Sequence, residues 1–92
     1  MIRVLYYAGV RERAGTSETR VEEFSGTLAG LLKHLEERHG IPVIDPSKAA
    51  SIDPLSVLII MINGRHIAHI GGPDAPVSDG DVVSIFPLIG GG

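Results

Sequence analysis

The feature that most constrains the fold is a stripe of four leucines in the first half of the chain. Its members are Leu28, Leu31, Leu32 and Leu35. Side chains at i, i+3, i+4 and i+7 share one face of an α-helix. Thr27 is a suitable N-cap, and Gly40 followed by Pro42 is a stop signal, so we predict a helix over residues 28–39. A helix with one apolar face has to bury that face against another layer of structure.

The apolar segments on both sides of this helix have the alternation or the β-branched content of β-strands. They are residues 2–8, 17–24, 57–62, 65–70 and 82–86. Asn63-Gly64, the strongest two-residue hairpin signal, joins two of them in antiparallel order. Residues 9–15 are a polar connection with room for one helical turn, and residues 41–55 form a proline-containing loop or irregular insertion. This order predicts an α+β fold of two layers, with the helix packed on one face of a sheet.

Composition narrows the class of protein. The chain has 92 residues, of which 43% are hydrophobic, as expected for one small globular domain. A formal net charge of −3 and scattered basic residues argue against nucleic-acid binding. No apolar run reaches the length of a membrane span and no signal-peptide pattern is seen, so a cytoplasmic location is expected. The absence of cysteine excludes disulfides, thiolate metal sites and cysteine nucleophiles.

The sequence ends on residues 86–92, which read Phe-Pro-Leu-Ile-Gly-Gly-Gly. Glycine loses the most conformational freedom on ordering and has no side chain to pack, so this run adds little to a core. It suits presentation of a carboxylate to another protein's narrow active site, because the backbone can enter where a Cβ atom would clash. We therefore predict a folded domain over residues 1–86 and a flexible tail over residues 87–92, with Gly92 as the reactive group.

Three motifs stand out along the chain: residues 2–12, Ile62-Asn63-Gly64, and residues 79–87 together with Gly91-Gly92. They resemble those of β-grasp (ubiquitin-like) proteins and, more narrowly, those of the MoaD/ThiS family of sulfur carriers. Residues 2–12, Ile-Arg-Val-Leu-Tyr-Tyr-Ala-Gly-Val-Arg-Glu, resemble that family's first strand and following turn. Ile62-Asn63-Gly64 is similar to its central hairpin. Residues 79–87, Asp-Gly-Asp-Val-Val-Ser-Ile-Phe-Pro, together with Gly91-Gly92, are similar to its closing signature. The resemblance implies a mixed β-sheet packed on one main helix.

The same resemblance implies a carrier and not an enzyme. Members of the family are adenylated on the terminal glycine by an E1-like enzyme that uses ATP, and the acyl-adenylate is then converted to a thiocarboxylate. Gly92 would carry sulfur from a sulfur donor protein, and Gly90 and Gly91 would keep the tail thin. In the MoaD branch the catalytic residues belong to the large subunit of molybdopterin synthase, and the sulfur enters the molybdenum or tungsten cofactor. No bound cofactor, metal, nucleic acid or membrane is implied for this chain itself.

A partner-binding surface is expected beside the tail. Phe86 matches a position that packs against partners in the MoaD branch, and Pro87 follows it directly. Leu5 and Tyr7 lie opposite the assumed core face of the first strand. One interpretation is an apolar docking patch of Leu5, Tyr7 and Phe86 on the open face of the sheet, and the other is that these side chains are buried. Arg11 is either solvated or a steering contact for acidic groups of a partner.

Two pairs of histidines are the nearest approach to a metal-binding motif. His34 and His39 are five residues apart in the predicted helix, and His66 and His69 are three apart in a predicted strand. Neither spacing places both Cβ atoms on one face. We therefore predict surface histidines and no metal site.

Several functions remain open at the level of sequence. The first is that of the small subunit of molybdopterin synthase. The second is a sulfur carrier for thiamine, cysteine or tRNA thiolation. The third is a ubiquitin-like modifier that forms isopeptide bonds with lysines of other proteins, and the fourth is a binding-only domain whose tail is inert.

Overall fold

The chain folds into seven β-strands and two α-helices within residues 1–41, 43 and 58–88, which are the residues that the computed structural model describes. The strands are β1 (Ile2–Tyr6), β2 (Glu18–Val21), β3 (Gly26–Thr27), β4 (Leu58–Ile62), β5 (Arg65–His66), β6 (Pro76–Val77) and β7 (Val82–Pro87). The helices are α1 (Ala8–Ala14) and α2 (Leu28–His39). Neither of these helices is long and apolar enough to cross a membrane. Most of the predicted 41–55 loop lies outside the described residues.

The main sheet has five strands in the order β2-β1-β7-β4-β5. β1 runs parallel to β7, and the other neighbouring strands are antiparallel. β3 and β6 form a separate two-stranded sheet. The first and last strands of the chain therefore lie side by side near the centre of a mixed sheet.

The leucine stripe of α2 supplies one side of the hydrophobic core. All four leucines are buried. They share a cluster with alternate residues of the central strands, among them Ile2, Val4, Tyr6, Ile60, Val83 and Ile85. The side chain of Thr27 accepts the N–H of Gly30 at 3.1 Å, and Gly40 ends the helix with a left-handed φ of 67°. The predicted helix over 28–39 and the predicted two-layer α+β arrangement are both confirmed.

The connection after β1 is more regular than predicted. Residues 9–15 were expected to be polar with room for one helical turn, but α1 is a seven-residue helix that buries Val10. Its N-cap, Tyr7, makes no capping hydrogen bond with its side chain, and Ala8 has a left-handed φ of 50°. A helix without a side-chain cap and with glycine near its start leaves little local signal, so its formation depends on the burial of Val10.

The prediction of a strand over residues 65–70 is wrong beyond His66. β5 has only two residues, and Ile67–His69 forms a 3₁₀ turn. Nδ1 of His66 accepts the N–H of Ala68 at 3.1 Å, and this local hydrogen bond stabilises the turn in place of a sheet ladder. Ile67 is fully buried, so the apolar character that suggested a strand reflects packing into the core.

Asn63 joins the hairpin after β4 to the start of β7. Its backbone is left-handed, with φ of 53°, which asparagine tolerates better than most residues. Its Nδ2 donates to Oδ1 of Asp81 and its Oδ1 accepts the N–H of Val82, both at 2.9 Å. Oδ2 of Asp81 accepts the N–H of Ser78 at 2.9 Å. One side chain thus holds the hairpin and the following turn together where β7 begins.

Replacing Asn63 by Ala is expected to lower the free energy of unfolding by about 1–2 kcal/mol, because two hydrogen bonds are lost and alanine disfavours positive φ. Urea denaturation measures the change. Asn63→Gly is the matched control, since it loses the same hydrogen bonds but accepts the backbone conformation, and it should be less destabilised than Asn63→Ala. An Asn63→Ala protein as stable as the wild type would contradict this role.

Candidate functional site

β7 carries the chain out of the core towards the predicted tail. It lies between β1 and β4. Its pairing with β4 continues to Pro87, which lies opposite Leu58, so the strand is one residue longer than the predicted 82–86. Leu88 follows with 42% of its surface exposed. The sheet therefore fixes the course of the chain as far as Pro87.

Alternation along β7 determines which side chains face the helix. Val83 and Ile85 are fully buried, whereas Val82 and Phe86 lie on the opposite face and are half-buried. In β1 the residues on either side of Leu5 are buried in the core, while Leu5 itself is half-buried. Of the two arrangements left open by the sequence, Leu5 and Phe86 adopt the one outside the core.

Tyr7 and Phe86 form a stacked pair at the end of the sheet from which the tail leaves. Their ring centroids are 4.4 Å apart and their planes differ by 11°. The N–H of Tyr7 donates to the carbonyl oxygen of Ile85 at 3.1 Å, which holds the two strands in the register that the stack needs. Tyr7 is 38% exposed. The stack thus presents aromatic surface to solvent directly beside the exit of the tail.

The stack belongs to a larger apolar surface, which we call the open sheet face. Its apolar members are Leu5, Tyr7, Ile59, Met61, Val82 and Phe86. The register confirms that they are neighbours, since Ile59 lies opposite Phe86 and Met61 lies opposite Ser84. A contiguous apolar patch on a small domain is a typical protein-docking surface.

Arg11 lies one helical turn after Tyr7. Its side chain is exposed, and its N–H donates to the carbonyl oxygen of Tyr7 at 3.3 Å. Arg13, two residues further along α1, donates from Nη1 to the carbonyl oxygen of Val43 at 3.2 Å. Arg13 therefore has a structural contact, whereas the position of Arg11 leaves it available beside the stack.

The opposite end of the open sheet face is charged. The members of this charged end are Arg3, Glu18 and Arg20. Arg3 donates to Glu18 from Nε at 3.0 Å and from Nη2 at 3.2 Å, and Arg20 donates from Nε at 3.1 Å. Hydrogen bonds from Arg3 first, and from Arg20 second, lower the pKa of Glu18 to about 2. Sequence reasoning missed this trio because it depends on the register that places Arg3 opposite Arg20 and Leu5 opposite Glu18.

The lowered pKa of Glu18 predicts a contribution to acid stability. Its carboxylate stabilises the fold above the ordinary pKa of 4.5, and this contribution is lost as the pH falls from there towards 2. As the pH is lowered across this range, the urea midpoint of Glu18→Gln should fall less than that of the wild type. Glu12→Gln, an exposed position on α1, is the control and should follow the wild type. Identical acid profiles for Glu18→Gln and the wild type would contradict the effect.

The two rings of each histidine pair lie closer together than the Cβ directions predicted. The ring centroids of His34 and His39 are 5.5 Å apart, and those of His66 and His69 are 6.2 Å apart. For His34 and His39, rotation about the side-chain torsions brings the two rings together although their Cβ atoms point apart. For His66 and His69, a 3₁₀ turn replaces the predicted strand. Within the described parts of the chain, no group of three or more His, Asp or Glu side chains could hold a metal ion.

The tail residues Gly90, Gly91 and Gly92 lie outside the described residues. Of the other predicted site residues, Leu5, Tyr7, Phe86 and Pro87 occupy adjacent positions on β1 and β7 or directly after β1. Arg11 is next to them through α1. Leu5, Tyr7 and Phe86 thus share the open sheet face, whereas Pro87 follows the alternation of Val83 and Ile85 and lies on the helix side of the sheet.

The mixed sheet, the main helix and the exit of the chain from a central strand define a ubiquitin-like domain of the β-grasp fold. The solution structure of the small archaeal modifier protein 1 from Methanosarcina acetivorans has this fold, with a TM-score of 0.76 and 26% sequence identity over 99% of this chain and 95% of that one. The sequence profile of the ThiS family matches residues 4–92. The chain belongs to this family of ubiquitin-like sulfur carriers, as the resemblance predicted.

Two named relatives are similar to the chain along their whole length. The molybdopterin synthase sulfur carrier subunit of Escherichia coli (strain K12) is 30% identical over 95 residues, which cover 100% of both chains. The small archaeal modifier protein 3 of Haloferax volcanii is 42% identical over 97 residues, which cover 99% of this chain and 98% of the relative. By name, one relative is a sulfur carrier and the other a protein modifier.

Proposed function

We propose that this chain carries sulfur as a thiocarboxylate on Gly92 and donates it to molybdopterin as the small subunit of molybdopterin synthase. The observation that supports this most strongly is the full-length similarity to the Escherichia coli subunit of that name, within a family of sulfur carriers. The chain has no cysteine. A carrier of this composition must therefore hold sulfur on a group other than a thiol, and the carboxyl group of Gly92 is the candidate.

The chemistry that this requires is carboxyl activation. An oxygen of the Gly92 carboxylate attacks the α-phosphorus of ATP on an E1-like enzyme, and pyrophosphate leaves. The terminal sulfur of a persulfide on a donor protein then attacks the acyl carbon, and AMP leaves. A thiol cleaves the S–S bond of the resulting acyl disulfide, which releases the thiocarboxylate and leaves the two thiols joined as a disulfide. The carbon–sulfur bond that forms is that of the thiocarboxylate. ATP and the catalytic groups are supplied by the partners, and this chain supplies the acyl group.

The geometry of the exit suits this role. The sheet holds the chain as far as Pro87, and the five residues that follow can span on the order of 17 Å. We propose that the open sheet face, with Phe86, Tyr7 and Leu5, docks on the partner while the tail enters its active site, and that Pro87 directs the tail away from the sheet. Arg11, exposed beside the stack, would pair with an acidic group of the same partner.

A second candidate function is protein modification. It is favoured by the 42% identity to a small archaeal modifier protein. Adenylation of Gly92 is common to both functions, and they differ in the nucleophile that accepts the acyl group. A modifier transfers it to a lysine Nζ to form an isopeptide bond. A sulfur carrier for thiamine, cysteine or tRNA thiolation would share every step as far as the thiocarboxylate.

Purification of the chain from its native host tests which partner it serves. The expected result is co-purification of the large subunit of molybdopterin synthase, with only free chain visible in denaturing immunoblots of the lysate. Phe86→Asp should lose the large subunit, and Lys33→Ala, an exposed change on α2, should retain it. A ladder of heavier bands that requires Gly92, without the large subunit, would overturn the carrier proposal in favour of the modifier.

A further inference from the structure

Positive charge is concentrated on the open sheet face and on α1, which begins beside it at Tyr7. The charged end contains two arginines and one glutamate, so its net charge is +1. Helix α1 contains Arg11, Arg13 and Glu12, so its net charge is also +1. Elsewhere in the described residues, three basic side chains stand against seven acidic ones. These are Lys33, Arg38 and Arg65 against Glu22, Glu23, Glu36, Glu37, Asp74, Asp79 and Asp81. The charged end therefore gives the strands of the open sheet face one net positive charge, in a chain whose formal net charge is −3.

Arg20 is the member of the charged end that retains donors for a partner. Arg3 uses both Nε and Nη2 on Glu18, whereas Arg20 uses only Nε. Within the described part of the chain, Glu18 is the one acceptor of the Arg20 guanidinium, whose side chain is 68% exposed. The two Nη groups of Arg20 therefore point a planar fork of donors at solvent, and this is the geometry that binds a carboxylate with two hydrogen bonds.

Arg3 lies near the start of β1 and the aromatic stack lies directly after its end, while Glu18 and Arg20 lie beside β1 on the edge strand β2. Arg3 is opposite Val82 at the start of β7, and Tyr7 stacks on Phe86 near its end. Tyr7 follows Arg3 by four residue steps along the extended chain, a distance of about 13 Å. An apolar anchor beside the tail and a charged anchor away from it would determine both where a partner binds and how the domain is rotated upon it.

We propose that Arg20, held in place by Glu18 and supported by Arg3, docks against a carboxylate on the adenylating enzyme, on the side of the docking site away from the tail. Arg20 is then an orienting residue for adenylation, because it aligns the domain so that the tail points into the active site. This inference rests on the proposed adenylation of Gly92. The positive charge of the charged end favours an acidic site on the partner, and the net negative charge elsewhere disfavours other orientations.

ATP–pyrophosphate exchange by the adenylating enzyme of the same organism tests this, with the carrier as the varied substrate. Arg20→Glu should raise the KM for the carrier about tenfold or more, because docking is weakened, and should also lower kcat, because a rotated domain delivers the tail to the active site less often. Arg20→Gln should lie between Arg20→Glu and the wild type. Added salt should raise the KM for the wild-type carrier and reduce the difference in KM between the wild type and Arg20→Glu. Arg38→Glu, the same charge reversal on the exposed side of α2, is the matched control. Arg20→Glu loses its ion pair with Glu18 and should melt somewhat below the wild type, so all variants are assayed well below its melting temperature.

The outcomes separate the orienting role from the function on which it rests. If the wild type supports exchange and Arg20→Glu behaves as Arg38→Glu, the orienting role is overturned while adenylation stands. If the wild type supports no exchange, both are overturned. Concentration-dependent dimerisation of the wild type that Arg20→Glu abolishes would overturn the proposal by placing a second copy of the chain on this face.

Discussion

Deleting Gly92 should abolish thiocarboxylation of the chain while leaving its melting temperature unchanged. The deletion leaves a carboxylate on Gly91, but it withdraws that group by about 3.5 Å, the length of one extended residue. Misplacing a reacting group by about 1 Å can cost on the order of a hundredfold in rate. A terminal glycine has no side chain to pack, so stability should not respond. ATP–pyrophosphate exchange and intact mass measure the loss, and thermal denaturation checks the fold.

Adding one glycine after Gly92 is the matched control for this deletion. It keeps the chemistry of the terminus and moves the carboxylate by the same distance in the other direction. If the position of the carboxylate matters, both variants should lose activity. Thiocarboxylation of the deletion variant at the wild-type rate would show that Gly92 is not the reacting residue.

Replacing Leu31 by Ala should strongly destabilise the fold. Leu31 is fully buried in the cluster that joins the helix to the sheet. Removing its isobutyl group loses the transfer free energy of those atoms and leaves a cavity, at a cost of about 2–5 kcal/mol. The free energy of unfolding from urea denaturation measures the effect. For a domain of this size, each kcal/mol lowers the melting temperature by about 4–8 °C.

Lys33→Ala is the control for this change, because Lys33 is exposed on the same helix and alanine favours helix formation. Its effect should be about 0.5 kcal/mol or less. If Leu31→Ala were no more destabilising than Lys33→Ala, the core would not depend on the leucine stripe. Burial of the leucine stripe would then not be what holds α2 on the sheet.

The parts of the fold that the sequence predicted are those in which local signals and burial agree. The leucine stripe of α2 has a cap at Thr27 and a stop at Gly40, and the structure forms the helix between these limits. The parts that failed lack such agreement. α1 has no capping side chain. Residues 67–69 leave the strand for a turn that a hydrogen bond from the N–H of Ala68 to Nδ1 of His66 stabilises, and the apolar pattern of residues 65–70 does not reveal it. The β3–β6 pair, two residues in each strand, was too short to produce a pattern.

The residues of the candidate site also differ in how far the sequence could predict them. Phe86 and Tyr7 could be assigned to a surface by alternation and resemblance, but their stacking required the parallel register of β1 and β7. The charged end was not predictable, because Arg3, Glu18 and Arg20 come together only once β2 is paired with β1. A register shifted by one residue would move Arg20 to the other face of the sheet. Tertiary pairing, and not residue type, therefore creates this second anchor.

The most direct test of the central claim is the intact mass of the chain isolated from its native host, grown with ample sulfur. We expect a species heavier by the difference between a sulfur and an oxygen atom, with the added mass confined to the fragment that contains Gly92. The same fragment should lose the added mass when the adenylating enzyme is absent. A Gly92 carboxylate that is unmodified in every molecule under these conditions would contradict sulfur carriage by this chain.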